Sequence, residues 1–150
     1  MQVKDIMTKK VISVTPKTKV SEVAEVLWKK NLTGLPVVDQ GKLVGIVTEY
    51  DLMSQKAGFH IPSYIKFLQS FDLPEDKDNK GFKKEFEIIL NTKVKDIMTK
   101  KVYTVSPKTK IKDLAELILS KKINPVPVLN EKGKIVGIVS RSDVVKLFKK

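Results

Sequence analysis

Val3 to Thr18 reads VKDIMTKKVISVTPKT, and Val94 to Thr109 reads VKDIMTKKVYTVSPKT, so 13 of 16 positions are identical at an offset of 91. The echo continues outward from there. Leu32 to Asp39 (LTGLPVVD) returns as Ile123 to Asn130 (INPVPVLN). Gly41 to Leu52 (GKLVGIVTEYDL) returns as Gly133 to Val144 (GKIVGIVSRSDV), now offset by 92 because the preceding turn holds one more residue. A duplicated unit of this size cannot bury its apolar face alone, so two copies packed together make the natural stable object. Two similar units also meet along a seam of approximate two-fold symmetry, and such seams are where ligand pockets form.

Each copy parses into the same elements. Val11 to Val14 alternates, carries β-branched residues and stops at Thr15-Pro16, which predicts a short strand. From Val20 to Trp28 the apolar residues follow a helical period, with Ser21 and Glu22 suited to the first turn, Lys29-Lys30 to the last, and Asn31 to the stop. Trp28 lies in that apolar pattern and is expected in the core. Leu35 to Val38 and Leu43 to Val47 flank the turn signal Asp39-Gln40-Gly41 and predict a hairpin. A second helix is expected from about Thr48, and the order β-α-β-β-α repeats from Val102 to Lys149. This is an α/β (α+β) chain of two repeats, residues 1–57 and 94–150, around a helical insert at 58–93. In the insert, Ser63 to Phe71 and Phe82 to Leu90 have amphipathic helical spacing, whereas Leu73 to Gly81 reads as a polar loop. The insert helices either pack on the repeats or form a dimer contact.

With 150 residues, 41% of them hydrophobic, the chain can build one compact domain or two halves sharing a core. Its mean hydropathy of −0.15 and short apolar runs fit a soluble protein without a membrane span, which needs about 20 apolar residues. No signal pattern precedes the first repeat, and the absence of cysteine excludes disulfides and suits a reducing cytoplasm. The net charge of +12 invites a nucleic-acid reading. Groove readers, however, favour arginine, and Arg141 is the chain's only one. The lysines are spread in pairs through both repeats, as on a solvated surface. His60 is the only histidine and has no cysteine or acidic cluster beside it, so no metal site is expected. No nucleophilic triad, phosphate loop or paired-carboxylate cleft points to an enzyme.

Gly-Ile-Val-Thr-x-x-Asp at Gly45 to Asp51 and Gly-Ile-Val-Ser-x-x-Asp at Gly137 to Asp143 carry the chemistry. In both, an apolar strand runs into a helix whose start holds a hydroxyl and, three residues later, a carboxylate. That spacing is a capping box. It also suits a ribose-phosphate, since helix-start N–H groups and a hydroxyl meet phosphate while a carboxylate accepts from ribose hydroxyls. Tyr103, where the first repeat has Ile12, fits either a base-stacking role or a half-buried strand position.

Taken together, IMT…V-x-(S/T)-V-x-P, the helix, x-G-L-P-V-V-D and G-I-V-(S/T)-x-x-D, in order and twice over, resemble CBS domains. The pair resembles a tandem CBS (Bateman) module. The resemblance covers nearly the whole chain except the insert. It implies a regulator binding AMP, ADP, ATP or, alternatively, S-adenosylmethionine in two clefts between the repeats. It implies no required cofactor, and it further implies pairing into a homodimer and an effector protein that reads the ligand state. A dimerising scaffold with vestigial clefts and a lysine-rich nucleic-acid-associated regulator are the competing readings.

Carried over by position, the first cleft would use Asp143 for ribose, Ser140 and Arg141 for phosphates, and Thr15, Val20, Thr33, Gly34 and Leu35 around adenine. The second would use Asp51 and Thr48 against Ser106, Ile111, Asn124, Pro125 and Val126. There Pro125 replaces Gly34 and removes an N–H, and Glu49 stands where Arg141 does. A like-charge contact of that kind can cost more than about 1 kcal/mol, roughly tenfold in affinity. The Asp143 cleft is therefore expected to bind more tightly, and the Asp51 cleft to be weak, empty or tolerant of less charged ligands.

Overall fold

The computed structural model describes residues 1–54 and 80–149. His60, the predicted helix at Ser63 to Phe71 and most of the predicted polar loop lie outside them. The first half contains α1 (Val20–Lys30), β1 (Gly34–Asp39), β2 (Lys42–Thr48) and α2 (Glu49–Met53). α3 (Lys80–Asn91) and the single turn α4 (Val94–Ile97) follow. The second half contains α5 (Ile111–Lys121), β3 (Val126–Leu129), β4 (Ile135–Val139) and α6 (Arg141–Val145). Short 3-10 turns cover Val3–Asp5 and Lys146–Phe148. No helix among the described residues is long and apolar enough to cross a membrane.

Local signals explain most of these elements. α1 opens where the Lys19 N–H donates to Glu22 Oε2 (2.8 Å) and closes at Asn31, which takes the left-handed conformation with φ 52°. Its buried face is Val20, Val23 and Leu27. Trp28 is 82% exposed, contrary to the core position expected for it. At 3.6 residues per turn it falls off the edge of the stripe that those three define. The β1–β2 hairpin turns at Gln40-Gly41, both with positive φ, and β3–β4 turns through Asn130, whose Oδ1 accepts from the N–H groups of Lys132 and Lys134. α3 matches the predicted Phe82 to Leu90 helix and begins two residues earlier, so Lys80 and Gly81 leave the predicted loop. Ile89 on α3 packs against the first core, whereas Ile88 is exposed.

The first predicted strand of each repeat contracts to one residue. Val14 pairs in parallel with Val37, and Val105 with Val128. Proline sets the limit. The Val14 N–H donates to the Pro36 carbonyl (3.0 Å) and its carbonyl accepts from the Val38 N–H (2.8 Å). One step back, the ladder would need an N–H on Pro36; one step forward, on Pro16. Pro127 and Pro107 truncate the second copy in the same way.

The sequence repeat and the packing unit differ. The first core joins α1, β1 and β2 to Val94, Ile97 and Met98; the second joins α5, β3 and β4 to Val3, Ile6 and Met7. Each VKDIMT segment therefore docks on the other repeat. The N–H of Val3 donates to the Thr109 carbonyl (2.9 Å), and Thr8 and Ile138 exchange two backbone bonds. Val94 donates to Thr18 (2.8 Å), and Thr99 and Ile46 exchange the symmetry-related pair. Gly45 and Gly137 make this docking close. A Cβ on Gly45 would lie 2.6 Å from Met98 Sδ and 3.1 Å from the Thr99 carbonyl oxygen, and one on Gly137 would lie 2.5 Å from Met7 Sδ. The capping box alone gives no reason for those two glycines; the crossed segments do.

Candidate functional site

The crossing brings each strand-to-helix motif opposite the β-hairpin entry of the other repeat, and a cleft opens on either side of the pseudo-two-fold axis. The first has a volume of about 520 Å³ and the second about 460 Å³. Both fall in the range of roughly 300–1,000 Å³ usual for small-molecule sites.

At the floor of each cleft sits a capped carboxylate. Asp51 is 2% exposed and accepts on Oδ2 from the Thr48 N–H (2.9 Å) and Oγ1 (3.1 Å), and on Oδ1 from Thr99 Oγ1 (3.2 Å). Asp143 is more open, with its side chain 13% exposed. Its Oδ2 accepts from the Ser140 N–H (2.8 Å) and Oγ (2.7 Å), and Lys146 Nζ lies 3.2 Å from Oδ1. The first pair closes a reciprocal capping box through the Asp51 N–H to Thr48 Oγ1 (3.3 Å), whereas the Asp143 N–H goes to the Ser140 carbonyl (3.1 Å). The two helices have only five residues each, and their first N–H groups are already engaged. The Arg141 N–H donates to Asn124 Oδ1 (2.8 Å) and that of Glu49 to the Thr33 carbonyl (3.0 Å). Anion attraction in these clefts consequently falls to side-chain cations rather than to helix ends.

Of the residues expected in the first cleft, Thr33, Gly34, Leu35, Ser140, Arg141 and Asp143 line it together. Thr15 and Val20 do not. Val20 is buried in the first core, and Thr15 turns its N–H to Thr18 Oγ1 (3.1 Å). In the second cleft Thr48, Asp51, Asn124 and Pro125 come together, whereas Ser106, Ile111 and Val126 stand outside the lining. Ser106 caps its own turn through Thr109, Ile111 packs on the second core, and Val126 is inside it.

The residues before Val14 and Val105 line the clefts instead. Thr8, Lys10 and Ile12 face the first, and Thr99, Lys101 and Tyr103 the second. They alternate along the chain, although the backbone bends at Lys9-Lys10 and Lys100-Lys101, so the spacing of two is the signal that marks them. Asn31 and Leu32, with Lys122 and Ile123 at the matching places, complete the walls.

The clefts differ in charge. The first has Lys10, Lys30, Arg141 and Lys146 against Asp143. The second has Lys101, Lys122 and Arg141 against Glu49 and Asp51. It also has the half-buried Tyr103, whose ring centroid lies 5.7 Å from Lys101 Nζ and 5.5 Å from Lys121 Nζ. Between the clefts runs a thin wall of Thr33, Asn124, Pro125 and Arg141, each of which lines both. Asn124 Nδ2 donates to Thr33 Oγ1 (3.0 Å). Gly34 meets Pro125 face to face: a Cβ on Gly34 would lie 2.7 Å from Pro125 Cδ. No group of three or more histidine, cysteine or acidic side chains that could hold a metal occurs among the described residues.

The model of the CBS domain family matches residues 3–58 and 94–150. Protein MJ1426 of Methanocaldococcus jannaschii is 32% identical over 97% of this chain and 90% of its own length. Other relatives are longer, and the chain spans 61% of one and 22% of another. Among solved structures, CBSX2 of Arabidopsis thaliana in complex with AMP is 32% identical with a TM-score of 0.69 over 99% of both chains. The CBS domain pair of MJ0100, in complex with 5′-methylthioadenosine and S-adenosyl-L-methionine, is 28% identical with a TM-score of 0.70, covering 99% of this chain and 95% of that one. The chain belongs to the CBS domain family, as a tandem pair of CBS repeats.

Proposed function

We propose that this pair is a regulatory module that senses an adenosine-containing ligand in the clefts between its repeats. One observation carries the reading: in both clefts the hydroxyl and carboxylate of one repeat face the hairpin entry of the other across a space of nucleoside size, with lysines at the margin. The AMP, 5′-methylthioadenosine and S-adenosylmethionine bound by related pairs supply the ligand class.

In the first cleft, Asp143 accepts from the ribose hydroxyls through its more open oxygen, and Thr33, Gly34 and Leu35 border the adenine. Ser140, Arg141, Lys10 and Lys146 meet the phosphates. A surplus of cations there favours a di- or triphosphate. In the second cleft, Asp51 and Thr48 take the ribose end, Asn124 and Pro125 the opposite wall, and Tyr103 offers a ring face to the base. Its near balance of charge favours AMP or a thionucleoside over ATP. The module performs no chemistry on the ligand; its output is a change in what the folded pair presents to an effector protein.

Thermal denaturation with AMP, ADP, ATP, S-adenosylmethionine and adenosine tests this, because a ligand bound to the folded state raises Tm by mass action. ADP or ATP is expected to give the larger shift. Lys146→Gln together with Lys10→Gln should weaken ADP at least tenfold, by loss of two charge-assisted contacts, while leaving adenosine nearly unchanged. No shift from any of the five ligands would overturn the proposal in favour of a scaffold with vestigial clefts.

A further inference from the structure

We propose that Arg141 couples the two clefts negatively, so that an anionic ligand held in one weakens the binding of an anionic ligand in the other. The inference rests on the adenosyl-ligand reading of the clefts and adds how they regulate one another.

Arg141 lines both cavities and is the chain's only arginine. No carboxylate among the described residues bridges its exposed guanidinium. Its backbone is fixed: the N–H is held by Asn124 Oδ1 at 2.8 Å, and Asn124 is held by Thr33 Oγ1 at 3.0 Å, both on the shared wall. The side chain therefore pivots from an anchored point between the clefts, and its planar fork can serve one phosphate group at a time. The symmetry-related position is Glu49, so no second guanidinium replaces it when it turns away. With Arg141 drawn into the first cleft, the second keeps Lys101 and Lys122 against Glu49 and Asp51, a balance that no longer favours an anion. With Arg141 drawn into the second, the first still holds three lysines but loses its bidentate partner. Linkage makes the penalty the same in both directions, whichever cleft fills first.

The test is a titration of the 15N-labelled full chain followed by NMR, reading the amides of Ser142 for the first cleft and Tyr50 for the second, since each lines only that one. With ADP, the second cleft to fill should bind about tenfold more weakly than it does when the other is empty, within the range of roughly 5- to 150-fold usual for coupled sites. In Arg141→Gln the coupling factor should fall to near one, at a several-fold cost to first-cleft affinity, and uncharged adenosine should fill both clefts independently in either protein. A coupling factor unchanged by Arg141→Gln, adenosine coupled as strongly as ADP, or ADP filling a single cleft would each overturn the inference while leaving a nucleotide site standing. Silence of both amides to ADP and adenosine would overturn the nucleotide reading together with it.

Discussion

Asp51 and Asp143 occupy the same place in the repeat and do different amounts of structural work. Asp51 is almost wholly buried and takes bonds from a backbone N–H and two hydroxyls, one of them Thr99 on the crossed segment. Truncating it leaves three partly buried donors without their acceptor, so Asp51→Ala is expected to cost about 2–3 kcal/mol, read as a lower urea midpoint. Asp143, more open and bonded within its own turn and to an exposed lysine, should cost about 1 kcal/mol. Equal losses would mean the Thr99 bond contributes nothing. Binding experiments on Asp51→Ala consequently mix ligand loss with unfolding, which is why lysine and arginine variants make cleaner probes of the clefts. The glycines of the same motif act through space rather than charge. Gly45→Ala should destabilise by about 1–3 kcal/mol, and by more than Gly137→Ala, because its Cβ meets the Thr99 carbonyl as well as a flexible methionine tip. Thermal melts of the two variants check that order.

At the scale of elements, helices and hairpins were legible from local chemistry, since α1 has its Glu22 and Asn31 caps and β1–β2 its Gln40-Gly41 turn. The first strand of each repeat is shorter than its composition predicts. Val11 to Val14 has strand composition, but pairing is a property of two segments, and Pro16 and Pro36 remove the neighbouring donors. Part of the lining expected for the clefts falls elsewhere beside the Val14 and Val105 bridges. Thr15 and Ser106 follow the bridge and turn into their own loops, whereas Lys10, Ile12, Lys101 and Tyr103 precede it and face the clefts. Restoring the missing donor should lengthen the ladder: Pro36→Val offers an N–H toward residue 12. Slower hydrogen exchange at position 36 than at exposed loop amides would report that bond. If the first cleft holds the proposed nucleotide, the gain would come with weaker binding there, because Ile12 lines that cleft and would be held against β1. An amide at position 36 exchanging at loop rates would assign the short strand to some cause other than proline.

At the scale of the molecule, the identity of the two VKDIMT segments concealed which core each one joins, because either core accepts either copy by composition alone. The structure resolves this as an exchange, and the exchange makes the halves interdependent. Val3 is fully buried in the second core and Ile6 and Met7 are partly so, where full burial of such a side chain contributes about 1.5–3 kcal/mol. Together they make up a large share of the roughly 5–15 kcal/mol that holds a typical domain together. Deleting residues 1–8 should therefore open the second half selectively. Amides of Val136 to Val139 should lose most of their protection from hydrogen exchange, since Ile138 loses both bonds to Thr8, whereas Val37 and Val47 stay protected by Val94 and Ile97. Both clefts should fail together even so: the first loses its Ser140–Asp143 wall directly, and the second loses Asn124 and Pro125, which belong to the opened half. Uniform loss of protection across both halves would mean the two cores unfold as one unit. Protection unchanged in both would mean the crossed segment merely rests on the surface, which the full burial of Val3 argues against.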